Sequence, residues 1–154
     1  MGNGKKLASD LARRRKVALD SSILIYHLED LAPYAELTQV AFALLAQGTF
    51  SAVISTISVT ELLAKPFAER KEQSILMCER FLQGLPHTAM VAPSYSIARE
   101  AARLRGRYAL RTPDALLLGT ALHEGAKALL TNDEQFKQIR GEGIAIILLN
   151  DYAP

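Results

Sequence analysis

The chain has 154 residues, 49% of them hydrophobic, which suits one compact domain and excludes an intrinsically disordered protein. A net charge of +2 is too small to indicate a nucleic-acid-binding protein by itself, and the single cysteine, Cys78, excludes an internal disulfide. No apolar run reaches the roughly 18 residues that cross a bilayer, and residues 1–16 lack the apolar stretch of a signal peptide, so we expect a cytoplasmic protein without membrane contact.

Short apolar runs rich in β-branched residues alternate along the chain with longer stretches whose apolar residues recur at helical spacing. The runs predict five strands, at residues 16–19, 50–55, 88–92, 126–131 and 144–149. The intervening stretches predict helices at residues 22–30, 34–47, 57–68, 71–83, 95–108 and 113–124, with a short helix after Asn132. This alternation is typical of a single α/β domain, whose mostly parallel sheet is flanked by helices on both faces.

The residues ahead of the first predicted strand are polar and basic. We treat residues 1–15 as a basic N-terminal extension and residues 16–154 as the domain. A frayed extension, a short helix and a foreign addition are all compatible with this composition.

Four acidic residues occupy informative positions on this map. Asp20 directly follows the first predicted strand. Glu61 and Asp133 follow the second and fourth strands, and Asp114 opens a predicted helix. Ligands of an open α/β sheet bind at the carboxyl ends of its strands, so three of the four acids are expected at that edge. Asp114 joins them only if its helix begins in the same region.

Each acid also has a structural interpretation. Asp20, Asp114 and Asp133 stand where helices begin, and a carboxylate there caps the helix or complements its dipole. Thr112 offers a further cap for the helix that Asp114 opens. Taken singly, each acid favours the structural interpretation, because caps are much commoner than catalytic acids. Capping gives no reason for Glu61 to stand within an apolar segment, so the four acids are better explained together.

Carboxylates that converge at neutral pH must hold protons or bind a cation, because their charges repel. Oxygen ligands without histidine or cysteine select Mg²⁺ or Mn²⁺, which polarise a phosphodiester and orient an attacking water. The three histidines are scattered, without the second soft ligand of a zinc site. The acids therefore favour metal-dependent phosphodiester hydrolysis.

At these residues the chain resembles a PIN domain, the PilT N-terminus type of metal-dependent ribonuclease, and within that family the VapC-type toxins. The matching segments, in chain order, are VALDSSILIYHLE, ISVTELL, RTPDALLLGTAL and LLTNDEQF, which together cover most of residues 17–149. The resemblance implies a five-stranded PIN-like sheet with an acidic pocket at its carboxyl edge. It also implies a Mg²⁺-dependent endoribonuclease, the toxin of a type II toxin–antitoxin pair, with RNA as substrate, a cognate antitoxin as partner and a homodimeric assembly.

The resemblance also implies roles for the four acids, which are our candidate catalytic and metal-binding residues. Asp20 and Asp114 match the family's main metal-coordinating acids, and we expect them to contact the ion directly. Glu61 matches the acid between them and Asp133 matches the fourth; these two would complete the site through water, hold a second ion or orient the attacking water. The side chains expected to hydrogen-bond the carboxylates, with capping or turns as the alternative, are Ser22, Thr131 and Asn132.

Arginines recur at helical spacing in the predicted helix 95–108. Arg103 and Arg107, together with Arg111 near the proposed site, are candidates to contact RNA phosphates. An ordinary solvated helix face, with Glu100 pairing with Arg103, is the alternative.

Two other functions compete with the nuclease. A receiver-like domain, which accepts a phosphoryl group on an aspartate beside Mg²⁺, shares the α/β pattern and the acidic strand ends. A receiver needs a lysine after its last strand, however, where this chain has Asn150 and Asp151. A catalytically inactive PIN-fold binding module is the other alternative, and the complete set of four acids argues against it.

Overall fold

The structure, a computed structural model, describes residues 2–154. Its strands are β1 (Lys16–Leu19), β2 (Ser51–Ser55), β3 (Thr88–Val91), β4 (Ala128–Thr131) and β5 (Ala145–Leu148). Its helices are α1 (Gly2–Arg14), α2 (Ser21–Leu28), α3 (Ala35–Ala46), α4 (Ile57–Ala68), α5 (Glu72–Gln83), α6 (Tyr95–Tyr108) and α7 (Thr112–His123). Two 3₁₀ turns cover Glu134–Gln138 and Leu149–Tyr152. No helix in this part of the chain has the length and hydropathy of a membrane span.

The five strands form one sheet in the order β3-β2-β1-β4-β5, and every neighbouring pair is parallel. From β1 the chain builds the sheet outward through β2 and β3, and then returns to the other side of β1 with β4 and β5. The direction of winding therefore changes between β1 and β4, and the crevice at the carboxyl ends of such a pair is where α/β folds bind ligands. The predicted α/β class and sheet are confirmed, with small differences at the strand ends.

Two apolar layers cover the sheet, one on each face. Val17 and Leu19 of β1 pack into the layer that also contains residues of α1, α2 and α3. Ala18 packs into the opposite layer, with residues of α6 and α7. Side chains alternate between the faces of a strand, so a strand covered on both faces reads as a continuous apolar run.

The basic N-terminal segment forms a helix that packs against the rest of the fold. Leu7 and Leu11 of α1 are fully buried, four residues apart on one helix face. The helix packs on α3 and on the C-terminal 3₁₀ turn, where the Tyr152 hydroxyl donates a hydrogen bond to Asp10. Of the three interpretations of this segment, the structure shows the helix.

The start of α7 differs from the expectation. The helix begins at Thr112, and the cap position is occupied by Arg111, whose side chain makes no capping hydrogen bond. The Thr112 hydroxyl instead accepts a hydrogen bond from Arg105 at 3.0 Å. The end of α6, packed alongside α7, supplies that donor and removes Thr112 as a cap.

Candidate active site

Three of the four acids lie in or next to elements that follow strands of the sheet. Asp20 joins β1 to α2, and Asp133 joins β4 to the first 3₁₀ turn. Glu61 lies in α4, which follows β2, and Asp114 lies in the first turn of α7. Asp20 and Asp133 therefore flank the crevice between the neighbouring strands β1 and β4.

Asp20 is held by three hydrogen bonds in a buried position. Its Oδ1 accepts from the backbone amide of Ser21 at 2.8 Å, which makes Asp20 the cap of α2. Its Oδ2 accepts from the hydroxyls of Ser22 at 2.9 Å and Thr131 at 2.7 Å. Burial raises the pKa of Asp20, with a smaller contribution from the charge of Glu61, although the three hydrogen bonds oppose the rise. Asp20 therefore both caps α2 and lies close to another acid, Glu61.

Glu61 is connected to Asp20 through Ser21. The Ser21 hydroxyl donates to Glu61 Oε1 at 2.9 Å and lies 2.8 Å from the Ser58 hydroxyl. Ser21 thus holds one acid with its backbone amide and the other with its side chain. Neither serine was among the residues expected at the site; the signal for Ser58 is its position three residues before Glu61, on the same face of α4.

Asp114 and Asp133 are connected through Gln135, which also was not among the residues expected at the site. Gln135 Nε2 donates to Asp114 Oδ2 at 2.9 Å and to Asp133 Oδ2 at 2.6 Å. The backbone amide of Gln135 also donates to Asp133 Oδ1 at 3.0 Å. Arg111 Nε reaches the same Asp114 oxygen at 3.1 Å. The only sequence signal for Gln135 is its position two residues after Asp133, where an aspartate commonly accepts from the backbone.

Thr131 joins the two carboxylate pairs. Its hydroxyl donates to Asp20 and accepts from the backbone amide of Asp133 at 3.0 Å. The expected hydrogen bonds of Ser22 and Thr131 to an acid are thus present in the structure. A continuous set of hydrogen bonds connects the four acids across the crevice.

Asn132 does not make the expected contact with an acid. Its Oδ1 accepts from the backbone amide of Asn150 at 2.8 Å, and its Nδ2 donates to the Tyr26 hydroxyl at 3.2 Å. Successive side chains of an extended segment point to opposite sides, so Asn132 cannot face Asp20 when Thr131 does. Asn132 instead links the end of β4 to the C-terminal turn.

The chemistry of the donor set fits a hard divalent cation, because the four acids offer only carboxylate oxygens. Within residues 2–154, no three acid, histidine or cysteine side chains are arranged to hold one ion. Several ligand oxygens are instead taken by protein donors, most clearly by Gln135 between Asp114 and Asp133. A cation would have to exchange these hydrogen bonds for metal–oxygen contacts.

Two arginines of α6, Arg103 and Arg107, are paired with acids on the surface of the fold. Arg103 bonds to Glu100 and to Glu142, the latter at 2.6 Å, and Arg107 reaches Glu142 at 3.1 Å. The side chain of Glu142 is only 6% exposed, and Arg103 holds the pKa of that carboxyl below its usual range. The expected pair of Glu100 and Arg103 is present, while RNA contact by Arg103, Arg107 or Arg111 stays a prediction.

A cleft of about 350 Å³ opens beside Glu61, between α2, α4 and α5. Its apolar lining comprises Ile25, Leu28, Leu62, Pro66, Met77 and Cys78. Met77 is 57% exposed, and the neighbouring surface of α4 and α5 exposes Phe67 and Leu76 as well. The cleft thus offers apolar surface at one end of the acidic site.

Three solved structures resemble this fold across nearly their whole matched chains. VapBC2 from Rickettsia felis, bound to a DNA fragment from its promoter, gives a TM-score of 0.68 at 22% identity, covering 85% of this chain and 96% of that chain. A toxin–antitoxin complex from Klebsiella pneumoniae gives 0.62 at 25% identity, with 86% and 97% covered. DNA-bound VapBC from Salmonella typhimurium gives 0.64 at 19% identity, with 87% and 98% covered.

Two comparisons of the sequence, with curated proteins and with family models, address the family of this chain. No curated protein is similar enough in sequence to be counted as a relative. The family model of the PIN domain matches residues 17–142, a stretch that contains all four acids and the whole of their hydrogen-bonded connection. The chain therefore belongs to the PIN domain family.

Proposed function

We propose that this protein is a Mg²⁺- or Mn²⁺-dependent endoribonuclease and the toxin of a type II toxin–antitoxin pair. The observation that carries the proposal is the connection of two carboxylate pairs, Asp20 with Glu61 and Asp114 with Asp133, across the crevice between β1 and β4. Carboxylates that converge repel one another unless protons or a cation neutralise them. A site built only from such oxygens suits phosphodiester hydrolysis.

In this proposal Asp20 and Asp114 hold the ion, and Glu61 and Asp133 complete the site. The bound ion supplies a Lewis acid and an activated water. Ser22 and Thr131 keep Asp20 oriented, so that its carboxylate is not reorganised during the reaction. Glu61 is solvent-exposed, so water can reach its carboxylate and be oriented there.

The partner in this proposal is an antitoxin that occupies the cleft beside Glu61, which has both apolar and charged lining residues. The cleft runs to the edge of the acidic site, so an inserted segment would reach the carboxylates and present a positive side chain to them. The similar solved structures from Rickettsia felis and Klebsiella pneumoniae are a VapBC2 complex and a toxin–antitoxin complex. We also propose a homodimer, which sedimentation of the purified chain would measure.

The test is cleavage of a single-stranded RNA by the purified chain. We expect cleavage in Mg²⁺ or Mn²⁺ and none in EDTA, with activity restored when the ion is returned. Cleavage at the same rate in EDTA would contradict the metal dependence. Folded, metal-binding protein that leaves RNA intact would favour the inactive binding module. The receiver-like alternative has no support, because the chain belongs to the PIN family.

A further inference from the structure

The side-chain amide of Gln135 lies between two carboxylates that come from different elements. Nε2 donates one hydrogen bond to Asp114 of α7 and one to Asp133 at the start of the 3₁₀ turn. A primary amide has two N–H groups, so these two acceptors use all the donors of that nitrogen. The backbone amide of Gln135 also holds Asp133, which fixes the residue beside the pair.

The amide nitrogen holds the two carboxylate oxygens that a shared cation would need. A Mg²⁺ ion contacts its oxygen ligands at about 2.1 Å, closer than a hydrogen-bonded nitrogen does. An ion held by Asp114, with Asp133 completing its site, would therefore compete with the Gln135 amide for Asp114 Oδ2 and Asp133 Oδ2. Either the amide leaves, or it turns over and offers its own oxygen as a ligand.

These two hydrogen bonds make the Gln135 amide a competitor of a cation for the same oxygens. In its present orientation Nε2 satisfies two negatively charged acceptors, and such bonds are stronger than those between neutral groups. A cation supplies positive charge to the same two oxygens. Gln135 and the cation are thus alternatives for one position, and each reduces the repulsion between Asp114 and Asp133.

We propose that Gln135 is a positioning residue that takes the place of the cation in the metal-free protein and weakens metal binding by competing with it. The inference rests on the proposed metal-dependent function. In this proposal a cation binds only when the Gln135 side chain releases Asp114 and Asp133. Any contact that draws this amide away, from substrate or partner, would then promote metal binding.

The experiment is a calorimetric titration of Mn²⁺ into the full chain, without RNA. Gln135→Met keeps the length of the side chain and removes its hydrogen bonds, so we expect Mn²⁺ to bind about tenfold more tightly. The matched control is Gln138→Met on the same 3₁₀ turn, because Gln138 Nε2 bonds to the Tyr108 carbonyl at 3.1 Å and to no acid. We expect the control to bind Mn²⁺ as the wild type does.

A second readout separates competition from a merely structural role. In EDTA, Gln135→Met should lower the Tm, because the two carboxylates lose the amide between them and only Arg111, 3.1 Å from Asp114, still offsets their repulsion. In excess Mn²⁺ the loss should shrink or reverse, since tighter binding adds stability by linkage. An equal loss in both conditions would assign Gln135 a structural role and overturn the proposal. Adding Asp114→Asn to Gln135→Met should abolish the gain in affinity.

The outcomes also separate this inference from the proposed function. Weaker or unchanged Mn²⁺ binding by Gln135→Met, with a wild type that binds Mn²⁺ and cleaves RNA, overturns only the competition. Tighter binding by the variant, with no RNA cleavage by the wild type, supports the competition and contradicts the ribonuclease. Absence of Mn²⁺ binding in both proteins contradicts both.

Discussion

Asp20 is more deeply buried than the other acids of the site, and burial raises its pKa above the ordinary value of 3.8. The folded protein therefore holds this proton more tightly than the unfolded chain does. Between the ordinary and the raised pKa, unfolding releases a proton, so the free energy of unfolding falls as the pH rises. Ionised Asp20 thus lowers stability at neutral pH in the absence of metal.

Asp20→Asn should reverse this loss. We expect the variant in EDTA to gain roughly 1 kcal/mol in free energy of unfolding at pH 7, as substitutions that relieve a strained functional site often do. Its stability should also change less than that of the wild type as the pH rises above about 4. Urea denaturation across this pH range measures both effects. A variant that is less stable than the wild type at pH 7 would show that ionised Asp20 does not destabilise the metal-free fold.

The four acids could be predicted from the sequence because each follows a strand or opens a helix, positions that a linear pattern reveals. Their partners could not be predicted in the same way. Ser21 and Glu61 are 40 residues apart, and Gln135 and Asp114 are 21 apart. Such contacts depend on how helices pack over the sheet. The periodicity of apolar residues predicts helices and strands, but it does not predict which side chains of different elements meet.

At the scale of elements, α1 is a helix that packs against the core although its sequence has few apolar residues to indicate this. Only two of its residues, Leu7 and Leu11, are buried apolar side chains, and the rest of the helix is largely polar. The basic composition of residues 1–15 therefore suggested an extension, although two leucines four residues apart are enough to dock one helix face.

Leu11→Ala should accordingly destabilise the whole fold. Loss of a fully buried leucine leaves a cavity, and we expect the free energy of unfolding to fall by about 3 kcal/mol. The exposed Ser9→Ala in the same helix should change it by less than about 0.5 kcal/mol. Equal stability of Leu11→Ala and the wild type in urea would show that α1 does not contribute to the core.

Glu142 attaches the loop before β5 to α6 through Arg103, Arg107 and the Tyr108 hydroxyl. Its pKa is lowered, chiefly by Arg103, so the stabilisation is present at neutral pH and is lost as the pH falls through the lowered pKa. Glu142→Gln should lower the free energy of unfolding by about 1–2 kcal/mol at pH 7. The difference should shrink in acid, where both side chains are neutral.

The control for Glu142→Gln is Glu134→Gln, which removes the same charge from an exposed pair with Lys137. Surface pairs of this kind contribute little, so its unfolding curve should match that of the wild type. A pH-independent loss in Glu142→Gln would indicate that packing, and not charge, holds the loop.

At the scale of the whole molecule, the parallel sheet follows from the alternation of apolar strands with helices, which is why the fold class was predictable. The position of Asp114 was not, because it depends on where α7 begins relative to β4. The structure places that start within reach of Gln135 on the turn that follows β4, and Gln135 bonds to both Asp114 and Asp133. The sequence of one chain does not identify its binding partner. The proposed antitoxin rests on the cleft beside Glu61 and on the similar toxin–antitoxin structures.

The most direct test of the metal-dependent nuclease is the single-turnover rate of RNA cleavage in Mg²⁺, compared between wild type, Asp114→Asn and Asp151→Asn. Asp151 is an exposed acid of the C-terminal turn, outside the connected set, and its variant should cleave at the wild-type rate. Asp114→Asn should lose at least about 100-fold, because even a residue that merely supports a metal ligand can contribute that much. Wild-type cleavage by folded Asp114→Asn would contradict the site.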